Sequence, residues 1–162
     1  MELTLDELRV LTGWAADCAA RVLPLTPDDP RPAAAIAAAR EFSAGAPRTK
    51  ALRTAAWAAQ AAATEAPNPA AAAAARAAVG AAGAAYLHPL ASPHQVKHIV
   101  GPAQQAALAR ELAGGSAEAE ISWALSQAPA VVRETLRKFP PGKPGKTRSG
   151  ELHRRLEAAL RG

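Results

Sequence analysis

Alanine occupies more than a quarter of this chain, and fourteen prolines interrupt it. Alanine is the strongest helix former because its side chain loses no rotamer freedom and hides no polar group. No stretch of any length shows the two-residue alternation of a half-buried strand. The expected fold is therefore all-α: a compact, Ala-rich, single-domain bundle of six to eight helices, cut to length by proline and glycine. Alanine buries little area per residue, so its helices have to pack closely and lean on a few large side chains. The three tryptophans are the obvious anchors. The polyalanine stretch 70–85 also admits another reading, a solvent-exposed helix of low complexity.

Caps and breakers place the helices. Thr4-Leu-Asp-Glu7 is a capping box, in which hydroxyl and carboxylate satisfy each other's free backbone N–H groups. Leu8, Leu11, Ala15, Cys18, Val22 and Leu25 then recur three and four apart, until Pro24 and the TPDDP loop end the helix. Arg31-Pro32 opens a second helix to about Ser43, and a third covers Arg48 to Thr64. Asn68-Pro69 starts a fourth that reaches Tyr86. Ser92-Pro93 opens a fifth, with a kink or break expected at Gly101-Pro102 and a stop at Gly114-Gly115. Ser116 caps a sixth helix, and Pro129 begins a short seventh to about Lys138. FPPGKPGKTRSG reads as an extended, mobile connector, and Leu152 to Leu160 as a final amphipathic helix. Residues 1–138 are the expected helical core domain, with the connector and last helix, 139–162, packed on it.

The net charge of +5 is unevenly placed. From Pro129 onward there are nine Lys or Arg against three Glu, while the first 128 residues carry ten basic and eleven acidic groups. A basic tail on a neutral body is compatible with nucleic acid or with acidic protein surfaces. No recognition motif or interleaved aromatic residues accompany it, so nucleic acid is not the expected partner. Cys18 is the single cysteine, which rules out a disulfide framework and a cysteine zinc site and fits a reducing cytosol. The acidic N-terminus is no signal peptide, and the apolar runs are too short to span a membrane, so a cytoplasmic protein without an anchor is expected.

Two stretches collect chemistry. In YLHPLASPHQVKHIVG, His94 and His98 lie four apart on one face of the helix that Ser92 caps, with Lys97 beside them. His88 ends the preceding helix, and Gln95 lies between, making His88, Gln95, Lys97 and His98 candidates for binding. His94 and His98 have the spacing of two metal ligands, with His88 as a third. No carboxylate stands nearby in sequence and Lys97 would repel a cation, so no metal or other cofactor is expected. Histidine titrates near neutrality and could serve as an acid or base, but no nucleophile is in sight. In WAADCAARVLPL…PDDPRPAAAIAAAR, Asp17, Arg21, Asp28, Arg31 and Arg40 are read as a partly buried charge network joining the first two helices. There is no phosphate loop, dinucleotide fingerprint, HExxH or GxSxG.

These same two stretches resemble signatures of the type-five-like immunity proteins of bacterial polymorphic toxin systems. Trp14, Asp17, Cys18, Arg21, Asp28, Arg31, Pro32, Ile36 and Arg40 match the first signature; His88, Gln95, Lys97 and His98 match the second. VVRETLRKFP with the closing leucine helix resembles the family's end. The resemblance implies an all-α cytosolic protein, common in actinobacteria, that neutralises a cognate toxin by direct binding and is not an enzyme. Two alternatives stand beside it: a small metal-binding or His-based enzyme at His88, His94 and His98, and a nucleic-acid-associated protein working through the basic tail.

Overall fold

The computed structural model describes residues 1–162. Its helices are α1 (Leu5–Ala20), α2 (Pro30–Ser43), α3 (Lys50–Thr64), α4 (Pro69–Gly83), α5 (Pro93–Leu112), α6 (Ala117–Gln127), α7 (Ala130–Arg137) and α8 (Arg148–Arg161). Single 3-10 turns at Leu23–Leu25 and Ala84–Tyr86 follow α1 and α4, and there is no strand. The caps act where the side chains place them. Thr4 and Glu7 close the capping box of α1, Asp29 caps α2, Asn68 α4, Ser92 α5, and Ser116 α6.

The polyalanine helix is the centre of the bundle, not a solvated rod. α4 packs on α1, α2, α3 and α5 and buries Ala71, Ala73, Ala74, Ala75, Ala77, Ala78, Ala81 and Ala82. Small side chains are what allow one helix to touch four others. At the α4–α5 crossing a Cβ added to Gly80 would lie 3.0 Å from the Pro102 ring. Pro102 is buried there, and α5 runs on through Gly101-Pro102 without the expected break. The proline removes one helical N–H, and its ring packs against α4 in return.

One core cluster holds Leu11, Val22, Phe42, Val96, Ile99, Val100, Val132 and Leu136 together with Leu152, Leu156 and Leu160 of α8. Of the tryptophans only Trp14 is an inner anchor. It is buried, and its indole N–H donates to the Ala124 carbonyl at 3.0 Å. Trp57 stands 71% exposed on α3, contrary to the expectation that all three hold the core.

The connector runs without helix or strand, as its Pro/Gly composition suggests, and hydrogen bonds tie it to α8 and α5. The Gly142 N–H donates to Glu157 Oε1 (2.9 Å), Arg161 to the Pro140 carbonyl (3.3 Å), and Arg154 to the Gly145 carbonyl (2.8 Å). Gln104 of α5 donates to the Ser149 carbonyl (3.0 Å) and hydroxyl (2.6 Å). Two of its glycines serve close approach: a Cβ on Gly150 would collide with the Gly145 carbonyl, and one on Gly142 would lie 2.7 Å from His153 Nε2. Thr147 caps α8, which therefore starts at Arg148, ahead of the expected Leu152.

Candidate functional site

α4, α5 and the stapled connector enclose an open groove of about 890 Å³, and α3 reaches its edge through Gln60. Each wall follows from a local feature. α4 is buried on most sides, so Arg76, its one charged side chain, is exposed toward the remaining opening. On α5, Ser92 accepts the His94 N–H at 3.2 Å and starts the helix, and the helical period then brings His94, Lys97 and His98 to the groove. The connector supplies Lys143, and α8 supplies His153.

The chemistry of the lining is one-sided. Of 18 lining residues one, Val79, is hydrophobic, and none is Asp or Glu. Arg76, Lys97 and Lys143 make no ion pair or side-chain hydrogen bond, unlike most cations of this chain. The rings of His94 and His98 meet edge to face at 5.9 Å between centroids. Burial, then the charges of Lys97, His94 and His88, holds the His98 imidazole below its ordinary pKa. Burial is the larger cause, and the charge of Lys97 adds to it. The groove is thus a place where a negative charge is stabilised and a metal cation is not. No three His, Cys, Asp or Glu side chains converge there or elsewhere as metal ligands would.

Not every candidate of the corner reaches the groove. Gln95 is buried, and its Oε1 accepts the His88 N–H at 3.2 Å, which ties the loop before α5 to the helix itself. His88 is exposed outside the lining. His94, which the sequence offered as a metal ligand or as part of a His-based enzyme, faces the groove with Lys97 and His98. Arg76, Lys143 and Gln60 carried no motif. Arg76 alone left a trace, as a solitary charge within an alanine helix.

The charge group of the first two helices is not one network. Asp17 accepts from Arg40 at 3.2 Å with both side chains more than half exposed, and it does not reach Arg21 or Arg31. Arg21 turns instead to Glu120 of α6 (3.1 Å) and lies over the Trp123 ring at 4.4 Å. Arg31 pairs with Asp29 (2.8 Å) and Glu65 (2.6 Å), and Asp28 is exposed. An exposed carboxylate four residues from an arginine pairs weakly, and a buried one across the bundle outbids it. Burial raises the thiol pKa of Cys18 well above its ordinary value, so it is a small core residue and no nucleophile.

The basic tail is mostly satisfied internally as well. Arg133, Arg137 and Arg154 donate to backbone carbonyls. Lys138, Arg148, Arg155 and Arg161 pair with Glu7, Glu111, Glu118 and Glu157. Lys143 and Lys146 are left over, and Lys143 stands in the groove. No helix is long and apolar enough to cross a membrane.

Comparison with known proteins gives no match among curated proteins and none among solved structures. A family model described as Imm-5 like putative immunity protein matches residues 1–131. The matched part holds α1 to α6 and with them the α4–α5 walls of the groove, and on that match the chain belongs to the Imm-5 like putative immunity protein family.

Proposed function

We propose that this protein neutralises a toxin by binding it directly in the cytosol, without catalysis, and that the basic groove is its docking face. The observation that supports this reading is the set Arg76, Lys97 and Lys143, three cations without partners around an opening that no carboxylate lines. Like charges gathered without internal partners repel one another, and an arriving acidic surface relieves that repulsion while steering the encounter. The family match supports a protein partner such as a toxin, since the family is described as one of putative immunity proteins.

Lys97 is the residue to test, because it is exposed, engaged with nothing, and central to the groove wall. In cells expressing a cognate toxin, the native protein is expected to restore growth and Lys97→Glu to fail. The melting temperature of Lys97→Glu stays within a degree or so of the native value, as expected for a surface change of about 0.5 kcal/mol or less. Full protection by Lys97→Glu would move the docking face away from the groove.

A further inference from the structure

The occupant of the groove can be specified further, on the reading that this is where the partner docks. We propose that the groove takes an extended, carboxylate-rich segment of the partner, and that Trp57 at its edge anchors an apolar side chain of that segment.

The shape and lining exclude the more usual occupant. Small-molecule pockets are enclosed and mostly apolar, with a few polar groups for orientation. This groove is open, holds about 890 Å³, and is lined almost wholly by polar and basic side chains. An extended strand carries its carboxylates on alternate sides and presents main-chain N–H and C=O groups between them. Arg76, Lys97 and Lys143 lie on α4, α5 and the connector, so carboxylates on either side of a segment find a cation. The exposed amide of Gln60, donor and acceptor at once, suits a peptide backbone, whereas a phosphodiester offers only acceptors.

Trp57 gives the surface its second half. Arg53, Trp57 and Gln60 follow one another at i, i+4 and i+7 and so share one face of α3. Gln60 lines the groove, while Arg53 lies over the Tyr86 ring at 4.7 Å, at the turn that leads to α5. The helical period places Trp57 between these two, one turn before Gln60 and just outside the residues that line the groove. At 71% exposed it is the most exposed large apolar side chain in the protein. Tryptophan is the residue most enriched among interface hot spots, and one beside a charged groove fits a segment that is acidic with an apolar residue at one end. The connector wall, with Lys143, lies beyond the stretch the family model matches.

Fluorescence anisotropy with a labelled, Ser-spaced peptide of adjacent Glu pairs ending in Leu, which carries carboxylates on both sides of an extended chain, tests this directly, against the same peptide with Gln for Glu, a single-stranded oligonucleotide and inorganic pyrophosphate. The acidic peptide is expected to bind, with affinity falling as salt rises, and the Gln peptide to bind at least tenfold more weakly. Lys97→Glu and Arg76→Glu each lower the affinity about tenfold or more, and Trp57→Ala lowers it for the Leu-ended peptide but not for one ending in Ser. Arg40→Glu, which removes a cation of α2 beside Asp17 and outside the groove, leaves it unchanged. Equal loss in Arg40→Glu, or tighter binding of the oligonucleotide, overturns the proposal. If the peptide fails to bind while Lys97→Glu still abolishes protection, the partner docks through a folded surface, and only the segment is wrong. If the peptide binds as expected but Lys97→Glu protects fully, the docking role of the groove falls instead.

Discussion

Glu120 is 6% exposed and lies between two guanidiniums, Arg21 at 3.1 Å from α1 and Arg110 at 3.1 Å from α5. Arg110 also donates to the Arg21 carbonyl at 2.8 Å, so the carboxylate ties three helices at one point. Its loss leaves two cations crowded together, although each is about a third exposed and can rehydrate. Glu120→Ala is therefore expected to cost about 2–3 kcal/mol, at or below the bottom of the range for breaking a fully buried pair. Asp17→Ala removes only an exposed pair with Arg40 and should cost about 0.2–1 kcal/mol. Urea melts of the two variants check both figures, and a larger effect at Asp17 than at Glu120 would reverse this ranking. Nothing in the sequence singled out Glu120. A charge becomes structural through what the fold brings to it from afar, and Arg21 meets it across 99 positions.

Among the elements, what was legible followed from local chemistry. Thr4, Asn68, Ser92 and Ser116 cap helices where their neighbours demand it, because a cap is decided within a few residues. What was not legible depended on partners distant in the chain. Pro102 packs its ring where Gly80 leaves room for it, and the connector's attachments run to Glu157 and from Gln104, which its own composition does not disclose. The groove shares that fate: the pair His94 and His98 could be seen on one helix face, but Arg76 and Lys143 join them only in three dimensions. The connector offers a clean test. At Gly150 an added methyl would meet the Gly145 backbone, which cannot give way as a side-chain tip can. Gly150→Ala favours the helix by propensity, by up to about 1 kcal/mol, yet is expected to destabilise by about 1–3 kcal/mol through overpacking. Amide exchange should quicken at Gly142 while α4 stays protected. A stabilised Gly150→Ala protein would mean that the connector shifts freely on α8.

On the scale of the whole molecule, the apparent modularity of the sequence, a neutral helical body followed by a basic tail, dissolves into one core. Leu152, Leu156 and Leu160 are each wholly buried and belong to the same cluster as Leu11 of α1 and Ile99 of α5. α8 packs on α5, α6 and α7, and Arg148 and Arg155 of its exposed side pair with Glu111 of α5 and Glu118 of α6. Three fully buried leucines are worth about 1.5–3 kcal/mol each, together about 5–9 kcal/mol. A domain of this kind has a total stability of only about 5–15 kcal/mol. A chain ending at Lys138 should therefore lose most or all of its margin, keeping helix content but not a sharp melt. Calorimetry and one-dimensional proton spectra of the 1–138 fragment distinguish the cases, since a loosely packed core gives a broad transition and poorly dispersed methyl signals. The fragment would also lack Lys143 and His153, and with them one wall of the groove. A 1–138 fragment that melts cooperatively would show that α1 to α7 suffice for the core; α8 and the connector would then serve chiefly to build the groove.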